Sequence, residues 1–361
     1  MANALDYLKS WRLNLKILTI LTSIALLALS FSPWTASAEI WGIKSQALTN
    51  APASAPPAVL YHFAEDCSHF QQVAPITLNG DQIDADGLAI DNRGILYAFE
   101  ISTNGSRLLT LDPATAVATP VGPFLSQLAI RGATFTFTGQ LLVVDVTTNQ
   151  LLQIDFTNGT PVGAPVLLTL NGQPFSFSFY GVCDLAESPE GDFMVSDVNT
   201  FYQLDPGSGV LTLQYVDEIA GTDGFTNAIA GLAYSKAAAN PDQLFAYDVN
   251  GYEDIFTYDP GNSFARAYLF ATIIPNFNAG RGDLAAQACP LLHLSRLMNI
   301  TNPAVLLAWT TNAPNYVLQS TLSLAPANWN LVTNTGSIVG TQFTVPIATT
   351  NTQQFFRLYL P

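Results

Sequence analysis

Apolar residues in this chain come in short runs broken by turn residues, and the runs recur at a nearly fixed spacing. Glycines open the clearest copies: GLAIDNRGILYAFE at Gly87, GATFTFTGQLLVVD at Gly132, GVCDLAESPEGDFMVSD at Gly181 and GLAYSKAAANPDQLFAYD at Gly231. A fifth anchor stands at Gly282 (GDLAAQACP), and successive anchors lie 45 to 51 residues apart. Each copy reads as four strands. Strand A follows the glycine, as in Leu88-Ala89-Ile90. Strand B is expected at 95–99, 141–144, 193–196 and 244–247, and strand C at 107–111, 151–154, 201–204 and 255–258. Strand D closes the unit, as at 116–121. Short apolar runs between Gly, Pro, Asn and Asp are strand signals.

One such unit cannot bury its apolar surface alone, so units of this length must stack or close on one another. The expected fold is therefore all-β: a β-propeller of five blades, with six as the alternative count, over residues 58–290. The Gly282 copy lacks its later strands. Two runs near the start, VLYHF (59–63) and FQQVAPITL (70–78), are expected to supply its C and D strands and so close the ring. Beyond about Leu292 the period is lost. Short strands at 305–310, 316–320, 329–332, 342–346 and 355–359 predict a small β-sandwich over 292–361.

The N-terminal 38 residues read as an export signal. Lys9, Arg12 and Lys16 precede an apolar stretch from Ile17 to Leu29, and Ala36-Ser37-Ala38 is a small-residue cleavage site. The stretch is short for a membrane span. A secreted protein beginning at Glu39, periplasmic or extracellular and without membrane insertion after cleavage, is the expectation. Residues 39–57, with the Pro-rich SQALTNAPASAPP, are expected to form a linker.

Charge changes the picture by exclusion. The 361-residue chain carries a formal net charge of −15, and without residues 1–38 it holds 9 Lys+Arg against 26 Asp+Glu. Nucleic acid and anionic lipid both require clustered cations, so neither is an expected partner. Three cysteines remain: Cys67, Cys183 and Cys289. Export permits a disulfide. A Cys67–Cys289 bond would clasp the two ends of the ring and leave Cys183 as a buried thiol; three free cysteines is the other reading.

Candidate chemistry sits at strand ends. Strand B ends in Glu100, Asp145, Asp197 and Asp248. These acids either converge on the channel mouth, where an oxygen cage would suit Ca²⁺, or cap their own hairpins. Asp112, Asp155, Asp205 and Asp259 end strand C, three of them before Pro or in a D-P-x-x-G-like turn, and read as turn caps. Asp86, Arg131, Tyr180, Arg281 and Asp283 surround the glycine anchors on the same face. Phe177, Tyr180 and Phe225, with Arg131 and Arg281, form a candidate ligand rim for a glycan or protein; Phe175/Phe177/Phe179 alternation is also what strand packing gives. His62, His69 and His293 show no metal spacing, and there is no G-x-S-x-G elbow or phosphate loop.

Two resemblances follow from these residues. Trp309, Tyr316-Val317-Leu318-Gln319-Ser320, Leu324, Trp329 and Phe355-Phe356-Arg357-Leu358 resemble the fibronectin-type-III-like module at the C-termini of many exported bacterial proteins. That resemblance implies an accessory, surface or adhesion role. The L-Y-A and L-D-P patterns make the repeats similar to NHL/SMP-30-like and YVTN-like secreted propellers. A lactonase relative would imply catalytic Ca²⁺, but its ligand set does not align residue by residue here. The expected function is a non-catalytic binding or scaffold protein for an extracellular glycan or protein, with a Ca²⁺-dependent lactonase-like hydrolase as the alternative.

Overall fold

A computed structural model describes residues 39–46, 57–65, 70–178, 182–218, 227–234, 243–249, 254–271, 279–286, 292–297, 304–311, 316–324, 327–340, 342–348 and 353–359. The expected export signal and both Cys67 and Cys289 lie outside them.

Among the described residues the repeats fold into five sheets, each with an antiparallel A-B-C-D order running outward from a central strand; four of these sheets have four strands and one has six. In chain order, blade II holds Ala85–Ile90, Leu96–Ser102, Gly105–Leu111 and Ala118–Pro120. Blade III holds Ile130–Phe135, Leu141–Asp145, Gln150–Asp155 and Thr160–Leu167. Blade IV holds Leu185–Glu187, Phe193–Asp197, Thr200–Asp205 and Val210–Val216; blade V holds Ile229–Tyr234, Leu244–Asp248, Asp254–Asp259 and Ala265–Ala271. A short hairpin, Thr169–Leu170 with Gln173–Pro174, widens blade IV at its outer edge.

Blade I joins the two ends of the repeat region. Its A strand is Ala279–Ala285, and its C and D strands are Ala58–Ala64 and Gln71–Pro75, as the two early runs predict. Its B strand corrects the expected linker over 39–57. Glu39–Gln46 is inserted between Ala279–Ala285 and Ala58–Ala64, with Ile43 opposite both Asp283 and Leu60. The reason is apolar: Ile40 and Ile43 are fully buried, one on each face of the sheet. No glycine anchor introduces this strand, and it lies next to a Pro-rich stretch, so periodicity passes over it.

Both faces of each blade are covered, which is why the B strands read LYAF, LLVV and LFAY rather than alternating with polar residues. Side chains still alternate in direction. Leu96 and Ala98 face blade I, among Ile43, Ala58 and Leu60. Tyr97 and Phe99 face blade III, among Ala133, Phe135, Leu141 and Val143. Leu142 and Val144 meet Leu185, Phe193 and Val195 of blade IV. Met194 and Phe201 then meet Leu232, Leu244 and Phe256 of blade V. Finally Phe245, Tyr247 and Ile255 meet Ile40, Tyr61 and Phe63 of blade I. Five apolar interfaces thus run around the ring without a break, which defines a β-propeller.

The inner strands come closest at their glycines. A Cβ on Gly132 would lie 2.8 Å from Cα of Asp184, and one on Gly231 would lie 2.7 Å from the Leu284 nitrogen. Both obstacles are backbone of the next inner strand, so only glycine permits the approach.

The C-terminal residues form the expected β-sandwich. One sheet orders His293–Leu297, Ala304–Thr310, Gln342–Ala348 and Ser337–Val339; the other orders Asn330–Leu331, Val317–Thr321 and Phe355–Tyr359. Leu307, Trp309, Leu318, Val345 and Ile347 fill the space between them, and Phe137 from the A–B turn of blade III enters the same core. His293 Nε2 lies 2.9 Å from Glu190 Oε1 in the A–B turn of blade IV. The sandwich is therefore seated on the A–B turns of blades III and IV.

Candidate functional site

The inner strands superpose by their pairing with strand B, in which Ala133, Leu185 and Leu232 each stand opposite the residue two before the terminal acid. The aligned segments are Asp86-Gly87-Leu88-Ala89, Arg131-Gly132-Ala133-Thr134, Cys183-Asp184-Leu185-Ala186, Ala230-Gly231-Leu232-Ala233 and Gly282-Asp283-Leu284-Ala285. Three blades place Gly at the second position; two place Asp. Gly181 and Gly282 are thus not the equivalents of Gly132 and Gly231, and anchoring on them hides Asp184.

Those two aspartates reach across blade boundaries. Asp184 Oδ2 accepts the Leu232 N–H of blade V at 2.5 Å while its Oδ1 accepts its own Leu185 N–H at 2.6 Å. Asp283 Oδ2 accepts the Leu88 N–H of blade II at 2.6 Å. The two carboxyls are buried neighbours, and each bears on the other's ionisation. Burial raises both well above the ordinary aspartate range.

Beside this pair stand Asp84, Asp86, Arg131 and Arg281. Arg281 Nη2 donates to Asp84 Oδ2 at 2.7 Å and its Nη1 lies 3.5 Å from Asp86 Oδ2; Arg131 Nη1 lies 3.7 Å from that same oxygen. Burial pushes Asp86 up to about 7, against the pull of Arg281 and Arg131. Burial also lowers Arg131. For Arg281 burial acts downward, but Asp86 and Asp84 outweigh it and leave it raised. None of Asp86, Arg131, Asp184, Arg281 and Asp283 is more than 8 % exposed. Asp84, at the edge of the cluster, keeps 22 % of its side chain exposed.

The strand-B acids take separate duties. Glu100 accepts Arg107 Nε at 2.9 Å from the paired strand. Asp145 accepts the N–H groups of Ala129 (2.7 Å) and Thr148 (2.9 Å). Asp248 accepts the Ala228 N–H at 2.7 Å and Asp197 the Ser178 N–H at 3.0 Å. The three aspartates therefore pin the segment leading into strand A of their own blade to the B–C turn. Among the described residues no three His, Cys, Asp or Glu side chains gather in a way that would hold a metal ion. Of the two readings of Glu100, Asp145, Asp197 and Asp248, these bonds to backbone N–H groups and to Arg107 are the ones that local capping requires. The strand-C acids cap their turns as expected. Asp112 accepts the Ala114 N–H, Asp155 the Thr157 N–H, Asp205 the Gly207 N–H and Asp259 the Asn262 N–H.

The expected rim is also redistributed. Phe177 is 8 % exposed, edge-on to Phe175 at 5.0 Å, inside the interface of blades III and IV. The alternation of phenylalanines is packing at this point. Arg131 and Arg281 belong to the buried cluster. Tyr180 and Phe225 lie outside the described residues. Cys183 is a buried free thiol, raised by burial and by Asp184, Asp197 and Asp86, and so unsuited to act as a thiolate nucleophile. His62 stacks on Trp41 with centroids 4.7 Å apart.

The class these elements define is a β-propeller with a C-terminal β-sandwich. No protein-family model and no curated protein matches the chain. Among solved structures it is similar to the nidogen/laminin complex, at 12 % identity over 81 % of this chain and 91 % of that one, TM-score 0.43. It is similar to virginiamycin B lyase from Staphylococcus aureus, at 12 % identity over 80 % and 87 %, TM-score 0.35. Glutaminyl cyclase from Myxococcus xanthus shows 13 % identity over 53 % and 77 %, TM-score 0.36. At this distance the neighbours carry no argument about chemistry.

Proposed function

We propose that this is an exported, non-catalytic binding or scaffold protein that displays one propeller face to an extracellular glycan or protein. One observation carries the reading: the acids and arginines that would supply chemistry are bonded to backbone or to one another, and those at the ring centre are buried. Such an arrangement supports a role in fixing the geometry of the ring. The sandwich occupies the A–B side of blades III and IV through Phe137 and Glu190. The B–C turns lie on the other side and are the proposed binding face, to which Tyr180 and Phe225, outside the described residues, are assigned from the sequence alone. The Ca²⁺-dependent hydrolase would need Asp145, Asp197 and Asp248 to release the N–H groups they hold.

Screening residues 39–361 against immobilised polysaccharides and extracellular proteins tests the face. Changing Tyr180 and Phe225 together to Ala is expected to weaken the selected interaction about tenfold or more at an unchanged melting temperature. Full binding by that variant would remove the face from consideration.

A further inference from the structure

The charge of the chain is divided unevenly. Residues 292–361 contain no Asp or Glu, although the whole chain holds 27. Two arginines and one histidine are their only ionisable side chains besides the two tyrosines. The sandwich is thus a cationic module on a strongly acidic propeller.

One of those arginines is displayed in a particular way. Arg357, Gln319 and Leu331 stand in a row across the three-stranded sheet, and Val317 pairs with Tyr359 beside them. The intervening residues Leu318, Phe356 and Leu358 point into the core, so this row faces outward. The Arg357 guanidinium lies over the Trp329 ring at 4.4 Å and near the Tyr359 ring at 5.3 Å. Its Nε donates to Gln319 Oε1 at 2.9 Å. Arg357 is exposed, Tyr359 is 42 % exposed and Leu331 59 %. No carboxylate among the described residues pairs with Arg357. The stack and the Gln319 bond orient the guanidinium before any ligand arrives, and the edge formed by its two terminal nitrogens is the one suited to a bidentate anion.

We propose that this outer sheet face binds an acidic glycan, with a uronate carboxylate on Arg357 and the sugar ring against Trp329 and Tyr359. The composition selects this partner from other anions. A lipid surface or nucleic acid is held by several clustered cations, and here one arginine stands among apolar and aromatic groups. Sparse charge beside a flat apolar ring is the pattern of a sugar acid. The site is separate from the propeller face and does not depend on it.

The test is affinity electrophoresis of residues 39–361 in gels containing polygalacturonate, with dextran as the neutral control and anionic vesicles assayed by sedimentation. The expected result is retardation by polygalacturonate and not by dextran. Arg357→Gln should weaken it about tenfold or more, and Arg357→Lys should weaken it nearly as much, because an ammonium keeps the charge but loses the stacked fork. Both changes are on an exposed side chain, and an unchanged melting temperature verifies the fold. The Tyr180/Phe225 double variant should bind polygalacturonate as before. Absence of retardation, equal retardation of Arg357→Gln, or binding to vesicles but not to polygalacturonate would each overturn the proposal. Loss in the propeller variant with retention in Arg357→Gln would overturn it too, while leaving the propeller face intact.

Discussion

Acidifying the protein from pH 8 to pH 5 is expected to raise its urea midpoint. Asp86 and Glu187 drive the effect. Burial lifts Asp86 from 3.8 to about 7, and burial lifts Glu187 from 4.5 to about 8 although the Phe137 N–H pulls it down. Each group binds a proton in the folded chain where the unfolded chain has lost it. Stability is therefore fully present below the unfolded pKa and falls as pH rises through about 4–7 for Asp86 and 4.5–8 for Glu187. Each contributes a slope of at most about 1.4 kcal/mol per pH unit within its window. The Asp184–Asp283 pair and Asp197, also raised by burial, act in the same direction. Asp112, Asp155 and Asp205 are lowered by hydrogen bonds from their turns, so they oppose this trend only below about pH 4 and set the acid limit. Asp86→Asn together with Glu187→Gln should flatten the profile. A midpoint that climbs from pH 5 to 8 would show that these groups are not buried as described.

Asp283→Ala should destabilise the protein by about 1–3 kcal/mol, the usual cost of leaving a buried donor without its acceptor. The change leaves the buried Leu88 N–H without its acceptor. It also cuts one of the contacts that tie blade I to blade II, the Arg281–Asp84 ion pair being another. Asp283→Asn should cost much less. An amide oxygen can take the Leu88 N–H, and the amide NH₂ can donate to the neighbouring Asp184 carboxyl. Urea unfolding of the two variants separates these outcomes; equal losses would mean that the carboxyl pair contributes nothing beyond shape.

The architecture was legible because it rests on periodic burial. Runs such as Leu141–Val144 and Leu244–Tyr247 are apolar on both faces, and only a strand covered on both sides needs that. The closing C and D strands could be placed because the Gly282 copy stops short. The B strand over Glu39–Gln46 could not, since it belongs to a repeat whose other members lie at both ends of the chain. The acids show the opposite limit. Turn capping by Asp112 or Asp155 is local and follows from the D-P-x-x-G-like spacing. The duties of Asp145 and Asp248 reach back 16 and 20 residues to Ala129 and Ala228. The partner of Asp184 lies 48 residues away and that of Asp283 lies 195 away. Such bonds exist only once the ring closes. The exchange of Gly for Asp at one inner-strand position is their only trace in the sequence, and it emerges only when the repeats are aligned on Leu-Ala.

Thermal unfolding of residues 39–361 in EDTA and then in excess Ca²⁺ tests the central claim, that the acids of the propeller anchor its own backbone. A cation bound only by the folded chain must raise the midpoint by mass action. The expected result is the same midpoint in both. A rise of several degrees that saturates with Ca²⁺, and is abolished by Asp145→Asn and Asp197→Asn, would contradict the claim and return these residues to a metal site.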